Sequence, residues 1–486
     1  MELTLHLNYD SAIPLHQQVY AGIRVAILAC RLLPGQRVPS TRSLSRSLNI
    51  SRTTITQSYE QLLTEGYLEA KHGSGTFVCR QLPDELLHAE TIVPNANPTS
   101  SSIKLSCYAN YLAETPFALQ PEPTVEISFR YGRPALKQFP IALWRKLLSQ
   151  RCQSDFQWLD YALDPQGYYP LRAAIAQYLS RARAVQCQPE QIVITNGTQQ
   201  ALDLILRVLL EPGDAIALED PGYLSARKVF LSHRAKLLPI PVDQSGLLVE
   251  KLAHLATDQV RLVYVTPSHQ FPTGATLSLA RRLELLSWAN QARVLILEDD
   301  YDSEYRYGDR PIPALQGLDN SGSVLYIGTF SKVLFPSLRI GYLVLPPQLV
   351  PLIAHAKWLS DRQIPTLEQQ VLTDFIEEGH LESHIRKMRA HYDRARQILV
   401  QALRSHFGEQ IEILGEKAGI HVMVRFSLSI SDTEILHRAE AVSVGIMPAA
   451  PHYLVNGGEG EFILGYGELD ETAIAEGIHR LASVLK

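Results

Sequence analysis

The sequence predicts an α/β protein: a large domain built on a mostly parallel sheet, preceded by a small domain of three helices and a β-hairpin. Three observations predict it. From about residue 126, short apolar strand-like runs alternate with amphipathic helical stretches, the pattern of a sheet covered on both faces. Several of those runs end abruptly in polar or glycine-containing clusters, where ligands of such sheets bind. And residues 80–125 carry Pro83, Pro94, Pro98, Pro116, Pro121 and Pro123, setting the first 80 residues apart from the rest.

At 486 residues the chain is too long for one ordinary core, so two or three domains are expected. Residues 1–80 hold eight Lys/Arg against five Asp/Glu, +3, so the total of -5 leaves -8 on the remainder. A small basic head on a larger acidic body suggests an anionic polymer as the partner of the head. No basic run precedes an apolar segment at the amino terminus and no apolar run approaches membrane-spanning length, so a cytoplasmic location is expected. The five cysteines are scattered without a Cys-x-x-Cys pair, and there is no His-Glu-x-x-His, so neither a disulfide framework nor a zinc site is signalled.

The first domain is placed at residues 8–79. Pro14 suits the start of a helix whose Leu15, Val19, Ile23, Ala26 and Ile27 share one face. Leu33-Pro34-Gly35 ends that region. Ser40 can cap a second helix bearing Leu44 and Leu48, and Ser51 a third with Ile55, Tyr59, Leu62 and Leu63 inward. Arg52, Thr53, Thr54 and Thr56 are left at the exposed start of the third helix. Strands 67–71 and 76–79 then flank His72-Gly73-Ser74-Gly75 as a hairpin wing. A helix fits the major groove and reads bases with its first turn, so this order suits a DNA-reading module. Pro-Gly-x-x-x-Pro-Ser-x-Arg from Pro34, Ser51-Arg52-Thr53-Thr54 and His72-Gly73-x-Gly75-Thr76-Phe77-Val78 resemble the winged helix-turn-helix of GntR-type regulators. That resemblance implies a double-stranded DNA operator as partner. It implies DNA contacts at Arg42, Arg52, Thr53, His72 and Gly73, with Arg37 a further phosphate candidate.

Residues 80–125 read as a flexible linker that cannot propagate helix or central strand, and the body occupies 126–486. In the body, a strand at 192–195 runs into Asn196-Gly197-Thr198-Gln199 at a helix start, whose free amides form an anion cup. Asp220-Pro221-Gly222-Tyr223 follows a second strand. A third ends in Pro267-Ser268-His269-Gln270-Phe271-Pro272-Thr273-Gly274. The next, 294–298, runs into Asp299-Asp300-Tyr301-Asp302. Such an acidic end often binds magnesium, but a carboxylate opposite a pyridine nitrogen explains it as well. Then comes Gly328-Thr329-Phe330-Ser331-Lys332, with Arg339 seven positions on. A lysine among Phe330, Val333, Leu334 and Phe335 is partly desolvated, which lowers its pKa and frees the amine to attack a carbonyl.

In this order the cup, tyrosine, aspartate, tyrosine, lysine and arginine resemble the fold-type I aminotransferases, and most nearly the MocR/GabR-type regulators that fuse this body to a GntR-type head. The resemblance implies a fold-type I aminotransferase-like body, with a large subdomain at about 145–345 and a small one at about 350–486. It implies pyridoxal 5'-phosphate (PLP) as cofactor, joined to Lys332 as an internal aldimine. Asp299 would pair with the pyridine nitrogen and Tyr301 with the ring oxygen. Tyr223 would stack on the ring, while Gly197, Thr198, Gln199, Ser331 and Arg339 hold the phosphate. Lys332, Asp299 and Tyr301 are the catalytic set. The protein is thus expected to be a transcription regulator sensing a small amine or amino-acid effector, or PLP itself. A homodimer is expected, with each head lying over its partner's body. The alternative is a working aminotransferase with an accessory head, and a third reading is a regulator that has lost the cofactor.

Two positions depart from the aminotransferase pattern. Phe271 stands where Asn-Pro-x-Gly would put asparagine, so His269 or Gln270 is expected to supply its contact. The late strand, from Glu461 to Tyr466, has no arginine for a substrate carboxylate. Arg227 or Arg425 is expected to substitute, unless the ligand lacks a conventionally placed carboxylate.

Overall fold

The computed structural model describes residues 5, 7–9, 11, 13–71, 73–82, 104–114, 125–154, 159–162, 164–255, 260–308, 312–455 and 457–486. The chain divides into two compact units, Met1–Lys104 and Leu105–Lys486.

In the first unit, helix α1 spans Leu15–Leu28 and buries Val19, Ile23, Ala26 and Ile27. Helix α2, Thr41–Leu48, starts where Ser40 accepts a hydrogen bond from the Ser43 amide. Helix α3, Arg52–Thr64, starts in the same way at Ser51, which accepts from Thr54. Both caps satisfy an amide that a helix start leaves without a partner. The buried faces of the three helices meet in one cluster with Leu44, Ile55, Tyr59 and Leu62. The Tyr59 hydroxyl donates to the Pro39 carbonyl at 2.7 Å, tying α3 to the segment before α2. Strands β1, Leu68–Lys71, and β2, Gly75–Val78, pair antiparallel.

Helix Cys107–Glu114 falls inside the stretch expected to be irregular. It lies in the proline-free interval between Pro98 and Pro116, where nothing in the backbone forbids helix, and Ser106 Oγ accepts from the Ala109 amide at 3.1 Å. It belongs to the second unit, where it rests against helix Leu224–Ser232.

The second unit is organised on a sheet of eight strands: β4 (Ile192–Thr195), β5 (Ala215–Asp220), β6 (Lys236–Asp243), β7 (Gly246–Leu247), β8 (Val260–Val265), β9 (Leu295–Asp300), β10 (Val324–Thr329) and β11 (Gly341–Val344). Their order is β4-β11-β10-β9-β8-β5-β6-β7. Neighbours from β10 to β6 run parallel, whereas β11 is antiparallel to both β10 and β4. Both faces are covered, so β4, β5, β10 and β11 are buried throughout, as their largely apolar runs require.

A second, antiparallel sheet of β12 (Ile411–Leu414), β13 (His421–Phe426), β15 (Met447–Pro448) and β16 (Glu461–Gly465) is packed by helices His380–Phe407 and Glu471–Leu485. Strand β3 (Ile127–Ser128) pairs with β14 (Val444–Gly445), and Ile127 and Phe129 join this second core. Residues 127–129 therefore sit on the side of the carboxyl-terminal sheet.

Candidate functional site

The carboxyl ends of the parallel strands open on a cavity of about 360 Å³. Thr198, Gln199, Tyr223, Asp299, Tyr301, Ser331, Lys332 and Arg339 all line it. Five separate stretches of sequence converge there, four of them at or just past the end of a strand. Gly197, at the start of helix Gly197–Leu209, has φ +76, and a Cβ there would stand 2.8 Å from Arg339 Nη2. The absent side chain lets the Arg339 guanidinium lie against the helix start, where Nη2 donates to the Asn196 carbonyl at 2.9 Å. Amides and guanidinium thus crowd one corner of the cavity, an arrangement suited to an anion.

Strand alternation sorts the acidic end of β9. Glu298 accepts from the amides of Leu315 and Gln316, and Asp300 is held by Arg183 Nε at 2.8 Å and the Tyr326 hydroxyl at 2.6 Å. Asp299 points the other way, into the cavity. Its Oδ2 accepts from the Tyr264 hydroxyl at 2.7 Å, while Oδ1 is buried with no hydrogen-bond partner. Burial pushes the Asp299 carboxyl up to about 7, against the pull of Tyr264. Lys332 Nζ donates to the Gly132 carbonyl at 2.6 Å. Burial lowers its pKa, opposed by Asp302 and Asp299, which favours the neutral, nucleophilic amine.

An acid whose pKa is higher in the folded than in the unfolded state binds more protons when folded, so its charge costs stability as pH rises through that interval. In cofactor-free protein, Asp299→Asn is therefore expected to leave stability nearly unchanged at pH 4. At pH 8 it should raise it by on the order of 1–4 kcal/mol. Denaturant melts of both proteins at the two pH values check this, and a variant no more stable at pH 8 would refute it.

The remaining expectations are redistributed. Gln270 does not line the cavity: its Nε2 donates to the Pro221 and Phe271 carbonyls and its Oε1 accepts from Thr273, bracing the turn. His269 stands behind Tyr301, with Nδ1 2.9 Å from Asp302, and its carbonyl accepts from the Tyr301 hydroxyl at 2.9 Å. His269, Asp302 and His421 bring one potential ligand atom each within 4.8 Å of one another, a cluster that sequence spacing gave no sign of. Arg227 is held by the carbonyls of Pro451 and Tyr453 and Arg425 by Glu461 and Glu412, and neither lines the cavity. Both were misplaced because spacing along the chain does not reveal what surrounds a guanidinium. Arg130, Tyr131, Gly132, Arg133 and Tyr264 line it instead. The first four lie outside any strand-end signature, and Tyr264 reads from sequence as core.

In the first unit Arg42, Arg52, Thr53 and Gly73 are exposed, with Arg52 and Thr53 opening α3, and Arg37 is exposed as well. His72 lies outside the described residues.

The family models for "Bacterial regulatory proteins, gntR family" and "Aminotransferase class I and II" match residues 15–78 and 131–451. The chain is 37% identical over 482 residues to the probable rhizopine catabolism regulatory protein MocR of Rhizobium meliloti, covering 99% of this chain and 95% of that protein. The chain belongs to the MocR-type transcriptional regulators. Another HTH-type relative, the pyridoxine biosynthesis transcriptional regulator PdxR of Corynebacterium glutamicum, is 30% identical over 97% of this MocR-type chain and 96% of its own. Among solved structures, the α-aminoadipate aminotransferase of Thermus thermophilus, complexed with N-(5'-phosphopyridoxyl)-L-leucine, is 28% identical with a TM-score of 0.70, covering 78% of this chain and 97% of that one. The fold-type I body and GntR-type head expected from the sequence are thus both present in this MocR-type chain, whose head implies DNA binding and whose body implies binding of a small molecule. The aminotransferase class I and II fold implies dependence on PLP. The cavity fits that group: the unpartnered Asp299 Oδ1 suits a pyridinium N–H, and the Gly197 cradle a phosphate. No helix among the described residues is long and apolar enough to cross a membrane.

Proposed function

We propose that this regulator holds PLP in the cavity and uses it to sense an amine-bearing effector, or PLP itself, changing how the head engages its operator. Lys332 would carry the cofactor, Asp299 would face the pyridine nitrogen and Tyr301 the ring oxygen. Tyr223 would cover the ring, and Gly197, Thr198, Gln199, Ser331 and Arg339 would hold the phosphate. When bound, the cofactor supplies a carbonyl that exchanges amines and a ring that withdraws electrons. The protein's own groups do the rest. Burial keeps the Lys332 amine available to bind or release and to move a proton, Gly132 fixes where it rests, and Asp299 stabilises positive charge on the partner of its Oδ1. The single observation that carries this reading is that unpartnered, buried oxygen beside the same cavity as Lys332.

In the head, Arg42, Arg52, Thr53, His72 and Gly73 would meet the DNA. A homodimer acting in the cytoplasm, each head over the partner's body, is part of the proposal. The dimer alone is supported by Leu352, Trp358 and Leu359 on helix Val350–Asp361, which are 51%, 51% and 78% exposed, an apolar surface suited to a second copy. Residues 8–79, 80–125 and 126–486 would then act as reader, tether and sensor.

The retained lysine, carboxylate and anion cup also suit an active aminotransferase. Mixing PLP-loaded protein with a panel of amines and an α-keto acid separates the two. A sensor is expected to give one absorbance change per subunit and an altered operator gel shift. Sustained turnover would favour the enzyme.

A further inference from the structure

The strand expected to carry the ligand's arginine, β16, ends in glycine, and the segment packed on it brings two arginines to the cavity. The Gly465 amide donates to the Phe129 carbonyl at 2.8 Å. A Cβ at Gly465 would collide with the Arg130 carbonyl oxygen, and one at Gly467 with that of Arg133. The absence of both side chains lets segment 129–133 lie directly on the strand end. Arg130 and Arg133 line the cavity and flank Gly132, whose carbonyl receives Lys332 Nζ at 2.6 Å. Arg339, the third arginine of the wall, lies in the corner at Gly197, and neither Arg227 nor Arg425 lines the cavity. Arg133 Nη1 also approaches Glu468 Oε2 at 3.4 Å, toward the rim.

We infer that Arg130 and Arg133 receive the anionic group of the effector in place of an arginine on the late strand. The preferred effectors are accordingly primary amines carrying a carboxylate a few atoms from the nitrogen. A guanidinium matches a carboxylate with parallel N–H donors, and its place beside Gly132 puts that match next to the resting point of the lysine amine. This inference rests on the cofactor reading above, since the amine of the same ligand is taken to meet PLP.

The test uses the full chain loaded with PLP and follows cofactor absorbance during titration with glycine against methylamine and β-alanine against ethylamine. The wild type is expected to respond to the carboxylate-bearing member of at least one pair at a concentration about tenfold or more below its plain counterpart. Arg130→Gln and Arg133→Gln should weaken the response to the carboxylate-bearing amine about ten- to a hundredfold and leave the plain amine where it was. Arg425→Gln should keep the wild-type preference. A coloured wild type indifferent to the carboxylate overturns this inference alone. So do arginine variants that keep the preference, or that weaken both amines equally, as a packing role would. A wild type that never takes up colour overturns the cofactor reading, and this inference with it.

Discussion

Lys332→Ala protein is expected to emerge colourless from dialysis against PLP-free buffer, while the wild type stays yellow. The alanine removes the only amine among the described residues that lines the cavity with Asp299, and with it the covalent part of cofactor retention. Arg339, the Gly197 helix start and the Asp299 carboxylate remain. Charge-assisted hydrogen bonds from such groups are worth roughly 1.5–3 kcal/mol each, so non-covalent affinity should survive. Pyridoxamine phosphate, which has no aldehyde to give, should therefore bind both proteins within about threefold of one another. Equal retention of PLP colour by the variant would move the point of attachment away from Lys332.

Operator affinity is expected to fall about ten- to a hundredfold in Arg52→Ala, corresponding to a lost base-edge contact of roughly 1–3 kcal/mol. Arg52 is the first residue of α3, exposed beside a cap made by Ser51, so truncating it leaves the helix start and the core of Ile55, Tyr59 and Leu62 intact. The melting temperature of the head should not move. Gel shifts with the promoter of the neighbouring gene, with unrelated DNA as competitor, provide the measurement. A variant that binds like the wild type would show that α3 is not the reading element.

Much of this molecule was legible in its sequence because polar residues that interrupt apolar strand runs have few reasons to be there. Asp299, Lys332 and the Asn196–Gln199 turn each follow such a run; Asp299, Lys332, Thr198 and Gln199 line the cavity, and Gly197 lies against Arg339 of its wall. The three helices of the head followed from caps at Ser40 and Ser51 and from apolar spacing. What escaped had no local signature. Helix Cys107–Glu114 was hidden by prolines that only flank it. Tyr264 sits within a strand where any large residue would serve as core, and only the fold brings its hydroxyl to Asp299. Arg130 and Arg133 precede the whole sheet by some sixty residues of chain, and their relation to β16 is purely one of packing.

The pairing of β3 with β14 gives that packing a mechanical meaning. Residues 125–133 run from Val125, through a two-stranded pairing packed in the core of the carboxyl-terminal sheet, to the carbonyl that receives the lysine amine. Whatever draws Lys332 away from Gly132 breaks a hydrogen bond held by the same short segment that pairs with β14.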